Sequence, residues 1–273
     1  MSTSYLELSL WQVALAASLI IVNAIISIVL KLGLGRTLLL ASVRTIVQLA
    51  LVGLVLQTVF QWDRWYAVVG LMAIMTLIAG ITAAQRSKRR YPGIWTDAIL
   101  SVWASSWIIM GFTLLAVMKG IDTWYQPQYA IPIMGMLLGN TLSGISVGLN
   151  TFGEGLVTRR SEIETYLALG ATRWEAGRDA IQNAIRTGMI PIINSMMIVG
   201  IVSLPGMMTG QILSGTAPMQ AVKYQIVIMF LIASSTALGT VGVVLLGFSR
   251  LFNTEHQFLP GQLRSPADPP RAG

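Results

Sequence analysis

A succession of apolar stretches constrains this chain more than any other feature. Each is close to the roughly 20 residues that an α-helix needs to cross the hydrocarbon of a bilayer. Seven qualify, at residues 9–30, 37–59, 66–84, 97–118, 131–150, 189–210 and 224–249. In hydrocarbon, each backbone N–H and C=O must find its partner internally, so such stretches predict helices. The expected fold is all-α: a polytopic membrane protein with one transmembrane domain over residues 1–260. Composition agrees, because 11 % of the 273 residues are charged, against about a quarter in soluble domains.

The basic residues set an expected orientation. Fourteen of the 18 Lys and Arg fall at 31–36, 85–96, 151–188 and in the C-terminal tail. Cytoplasmic loops carry this excess, so the N-terminus is expected outside and the C-terminus in the cytoplasm. Trp62, Trp65, Tyr66, Trp124 and Tyr125 suit the outer interface. No basic residue precedes Lys31, and the first apolar stretch exceeds a signal-peptide core, so it reads as a retained span. The net charge of +7 could point to nucleic acid, but no interleaved basic and aromatic pattern supports that partner. Disulfides and thiolate metal sites are excluded by the lack of cysteine. The single histidine, His256, has no neighbour at metal-ligand spacing. From Gly261 onwards, "GQLRSPADPPRAG" is rich in Pro and small polar residues and is expected to be disordered.

One long insert between spans looks soluble: Ser161–Asp179, "SEIETYLALGATRWEAGRD". Ser161 and Glu164 have capping-box spacing, Gly170 suits a left-handed helix end, and Thr172 with Glu175 repeats the box. The pattern predicts an elbow of two helices. Ile163, Leu167, Gly170, Trp174, Gly177, Ile181 and Ile185 recur as one apolar face. Two readings are open: an amphipathic linker in the membrane interface, or a coupling helix docked into a cytoplasmic partner. The acidic residues favour the second, since a purely lipid-bound helix prefers Lys and Arg beside an anionic leaflet.

"EIETYLALGAT" resembles the loop by which ABC-transporter permeases engage their ATPase subunits. It departs from the importer version, in which a proline follows sooner; here the next is Pro191. Together with "RTIVQLALVG" (Arg44–Gly53), "IPIMGMLLGN" (Ile131–Asn140), "VGIVSLPGMMTGQILSG" (Val199–Gly215) and "AVKYQIVIMF" (Ala221–Phe230), it is similar to the Fet-type iron-export permeases. These are relatives of the plant aluminium-tolerance permeases. The resemblance implies a homodimer in the bacterial inner membrane, with an ABC ATPase subunit on each copy and iron or a related metal as substrate. It also implies that the elbow residues Glu164, Leu167, Gly170, Ala171 and Thr172 couple to the ATPase. Independently, the chain has no Gly-Lys dipeptide, which a phosphate-cradling P-loop requires. ATP and Mg would be bound by the partner ATPase, and no cofactor or metal site is expected in this chain.

Polar groups inside the spans are candidates for a pathway or gate. Arg44 with Gln48 one turn on either snorkels to lipid phosphates or faces a dimer interface or pathway. Asp97 is the nearest candidate partner. Asn140 lies in "GMLLGNTLSGIS", whose small residues let helices approach closely. Pro205 and Gly206 interrupt a segment uncharged from Thr187 to Val222 and read as a hinge or gate. Met207 and Met208 read as adaptable packing rather than iron ligands, because thioethers are soft. An ATP-independent channel or scaffold is the competing function. An intramembrane enzyme lacks any nucleophile–base or paired-carboxylate arrangement.

Overall fold

The computed structural model of the chain describes residues 9–62, 64–117 and 125–264. Trp124, expected above at the outer interface, and the tail from residue 265 lie outside the described residues. The described residues are overwhelmingly helical, with isolated β-bridges and no strand. They fall into two compact units.

The first unit is a helical hairpin of α1 (Leu10–Val29) and α2 (Gly35–Trp62). Ser9 starts α1 with a full capping box, its own N–H donating to Gln12 Oε1 at 2.8 Å. Lys31 and Gly33 take positive φ in the turn, and Leu34 N–H donates to Ser27 Oγ at 2.9 Å. Almost every side chain of α1 and α2 is exposed within this unit, which suits helices whose solvent is hydrocarbon.

The second unit holds α3 (Trp65–Gln85) from Val68 on, α4 (Ile94–Phe112, continued by a π-helical turn to Val117), α5 (Pro127–Thr158), α6 (Arg160–Ala168), α7 (Arg173–Ile198), α8 (Gly206–Leu213) up to Ile212, and α9 (Pro218–Leu251). Helix α5 is the centre, packed on α4, α7 and α9. Glycine makes that packing possible. A Cβ on Gly144 would lie 2.5 Å from Thr236 Cγ2, and one on Gly188 only 2.9 Å from Gly144 O. Such contacts bring backbones together through small residues, where lipid tails supply no hydrophobic drive. Hydroxyls pair inside the bundle, Thr141 with Ser235 at 2.8 Å. Trp107 Nε1 donates to Thr76 Oγ1 at 3.2 Å.

Among the described residues six helices are long and apolar enough to span a membrane: α1, α2, α3, α4 with its π-helical turn, α5 and α9. The expected span at 189–210 is not one of them. Its residues divide between the end of α7, an irregular turn at 199–205 and the short α8. Helix α7 instead begins at the elbow and carries Arg173, Glu175, Arg178, Asp179 and Arg186. It is long enough to run beside α5 and α9, about 39 Å, but too polar to qualify by hydropathy.

Candidate functional site

The elbow forms as two helices, with one of the two expected capping boxes. Helix α6 ends in a Schellman arrangement: Gly170 has φ +91°, Gly170 N–H donates to Leu167 O, and Ala171 N–H donates to Tyr166 O at 3.0 Å. Thr172 then caps α7, its N–H and hydroxyl both donating to Glu175 Oε2, at 2.8 and 2.7 Å. These hydrogen bonds favour the charged form and hold the Glu175 carboxyl below its ordinary range. The first expected box does not form. Helix α5 runs to Thr158, so Arg159 ends one helix and starts the next, leaving Ser161 inside α6. Glu164 pairs with Arg160 at 2.8 Å instead.

The single apolar face expected across the insert is likewise split. Ile163 is 2 % exposed, and Gly177 and Ile181 are buried in α7, but Leu167 is half-buried and Trp174 is exposed. Leu169 stands 80 % exposed and Tyr166 49 % at the tip of the elbow. Among the described residues nothing covers that tip, while its base is tied down. Arg159 reaches Asp179 at 3.2 Å and Glu162 at 3.8 Å, joining α6 to α7.

The start of α7 is also held by the end of the chain. Arg173 Nη1 donates to the carbonyls of Phe252 and Asn253, and Arg173 N–H donates to His256 Nδ1 at 3.1 Å. Trp174, Phe248, Phe252 and Phe258 form a run of aromatic contacts with centroids 4.7 to 5.6 Å apart. Residues 260–262 make a 3₁₀ turn, and Arg264 and Arg90 exchange backbone hydrogen bonds of 2.8 Å. Residues 261–264, placed above in a disordered tail, therefore have a defined conformation.

Asp97 has its partner within the second unit. Its side chain, 3 % exposed, accepts from Arg250 Nε at 2.8 and 2.9 Å. Arg250 fits because Gly93, at φ +88°, leaves room: a Cβ there would lie 2.5 Å from the guanidinium carbon. Burial, and then the Asp97 charge, push the neighbouring Tyr91 phenol well above its usual value. The sequence hinted at this site only through an acidic residue at the start of an apolar span.

The pathway candidates divide between the two units. Arg44 and Gln48 are exposed on α2. Arg44 lies nine residues beyond Gly35, about 14 Å along the helix. In the second unit Asn140, Pro205, Gly206 and Met207 meet around a cavity of about 280 Å³; Met208 does not line it. Asn140 Nδ2 donates to Met136 O of its own helix at 2.9 Å. Ser195, Ser203 and Gln225 complete the polar lining. Gln225 was missed from the sequence, although a glutamine in a long apolar helix was there to see. No group of three His, Cys, Asp or Glu able to hold a metal occurs among the described residues.

Comparison with known proteins agrees with this architecture. Residues 10–252 match the uncharacterised protein family UPF0014. A UPF0014 membrane protein of Synechocystis is 41 % identical over 84 % of this chain and 88 % of its own. The probable iron export permease protein FetB of Escherichia coli is 33 % identical over 93 % and 96 %. The Arabidopsis thaliana protein ALUMINUM SENSITIVE 3 is 31 % identical over 89 % and 88 %. No solved structure matches. With a multi-pass helical bundle, an exposed elbow and matches along nearly its whole length, the chain belongs to the UPF0014 family of membrane proteins.

Proposed function

We propose that this chain is the permease subunit of an ABC exporter, working as a homodimer with a separate ATPase docked on each elbow. The observation that carries the proposal is the elbow. An exposed Tyr166–Leu169 tip sits on a helix end fixed by the Gly170 turn and the Thr172 cap. Such a tip suits the role of an anchor in a partner's pocket, since large side chains fixed on a rigid element bind with little ordering cost. Movement of the ATPases would push α6, turn α7 and change access to the cavity near the other end of α7. Glu164 stands beside the tip as a contact, and Arg44 with Gln48 would face the second copy or the pathway. Pro205 to Met208 would serve as the gate.

Iron, or a related metal, enters as cargo by similarity to the Escherichia coli protein, whose name carries that activity. The test is a pull-down from native membranes in gentle detergent, with Leu169→Glu and Glu164→Lys in parallel. Capture of an ATPase by the wild type and its loss with the variants supports the coupled exporter. If no ATPase is captured even after mild cross-linking, the exporter loses its engine, and a passive channel becomes the better account.

A further inference from the structure

Two arginines from distant parts of the chain are set side by side at the start of a span. Arg90 lies in the loop before α4, and Arg264 follows the 3₁₀ turn beyond α9. Each donates its backbone N–H to the other's carbonyl at 2.8 Å. Residues paired in this way lie about 5.5 Å apart at Cα, with their side chains on the same face. Like charges directly opposite one another are destabilising unless an anion lies between them. Among the described residues neither guanidinium meets a carboxylate, although their neighbours do: Arg89 pairs with Glu154, and Arg250 with Asp97. Arg90 Nε is enclosed and has no acceptor, which leaves the outer nitrogens of that guanidinium to meet a counter-charge.

The position of the pair decides what the anion is. The Arg90 guanidinium carbon lies 5.9 Å from the centre of the Trp95 ring. Trp95 is 38 % exposed in the first turn of α4, and the apolar span begins one residue earlier, at Ile94. Trp95 therefore stands where hydrocarbon gives way to headgroups, the level at which tryptophan is enriched. Arg90 is held at the same depth. Further along α4, Leu100 and Trp103 are also exposed and continue into hydrocarbon. On the expected orientation this end meets the cytoplasmic leaflet, where anionic phospholipids attract basic side chains. Arginine suits their phosphate, because its planar fork takes two oxygens at once.

We propose that Arg90 and Arg264 together bind the phosphate of an anionic phospholipid, with Trp95 against the glycerol and the upper acyl chain. The lipid would tie the segment after α9 to the start of α4. The site stands apart from the elbow and the cavity and does not depend on the exporter reading.

The test is native mass spectrometry of the full chain released from detergent micelles, titrated with phosphatidylglycerol or phosphatidylcholine. In phosphatidylcholine the phosphate is balanced by its own ammonium group. Phosphatidylglycerol is expected to bind more tightly at the first site by roughly thirtyfold, the worth of about two basic side chains at a lipid surface. Arg90→Gln combined with Arg264→Gln should bring phosphatidylglycerol down to the phosphatidylcholine level. Arg86 and Lys88 are exposed on the same loop, and their backbones, not their side chains, bond to Asn150. Arg86→Gln combined with Lys88→Gln removes the same charge and should keep most of the preference. Glycerol phosphate, a soluble anion with the same headgroup chemistry, should not displace the lipid. Three results overturn the proposal. No preference in the wild type means that the arginine pair holds no lipid, and equal loss in both double variants means a general effect of charge. Displacement by glycerol phosphate gives the site to a soluble anion. The wild-type comparison and the competition need no variant to fold.

Discussion

Single residues at the elbow have separable roles. The Glu175 carboxylate is held below its ordinary 4.5 by hydrogen bonds from Thr172. A carboxylate depressed in the folded state stabilises it above the unfolded pKa, and that contribution fades as pH falls through the lower folded value. The first turn of α7 should therefore loosen only under acid conditions below about pH 4. Hydrogen exchange at residues 173–176 would show this as a protection factor that falls on acidification, each rate taken relative to the intrinsic rate at that pH, with Glu175→Gln flat across the same range. An unaltered acid response in the variant would remove the cap from the account. Asp97 is a different case, a nearly buried carboxylate facing an Arg250 that is 44 % exposed. Removing one member of a buried pair costs about 3–5 kcal/mol, but exposure screens this one, so Asp97→Asn should cost about 1–2 kcal/mol. Thermal unfolding of the purified chain measures it, and an unchanged midpoint would mean that solvent fully replaces the pair.

Among the elements, α7 and α9 are joined more firmly than the sequence indicates. The clasp of Arg173, His256 and the aromatic run means that a push on the elbow reaches α9 as well as α7. Phe258 is 9 % exposed and closes the aromatic run. Phe258→Ala should cost about 3 kcal/mol and speed hydrogen exchange across residues 173–178. If exchange there holds while the midpoint falls, the clasp is stabilising but mechanically idle. The helices themselves were legible, because apolar length and short-range caps such as Thr172 with Glu175 are local signals. Tertiary partners were not. Ser161 matched a capping box, yet continuation of α5 to Thr158 made it an interior residue. Residues 261–264 looked featureless because their order comes from Arg90, far away in sequence. Asn140, Pro205, Gly206 and Met207 were each singled out, but their meeting, and the buried Gln225 facing them, depend on how three long helices pack.

At the scale of the whole molecule the lengths are unequal. Helices α5 and α9, of 32 and 34 residues, are about 48 and 51 Å long and exceed a hydrocarbon core of about 30 Å. The excess leaves part of each helix outside the hydrocarbon. About 27 Å of helix separates Asn140 from the end of α5 at Thr158, so in the proposed exporter coupling would travel along rigid helices rather than through a shared pocket. In an exporter driven from the elbow, the cavity should open to opposite sides in turn. The chain has no cysteine, so Asn140→Cys places one thiol on the cavity wall. With the ATPase partner present, labelling by a membrane-impermeant maleimide from outside should change several-fold, at least about threefold, between nucleotide-free and vanadate-trapped states. Labelling should become insensitive to nucleotide when Leu169→Glu is added, because the push no longer reaches α7. A thiol that labels equally in every state would place this cavity off the pathway, even if the elbow still recruits an ATPase.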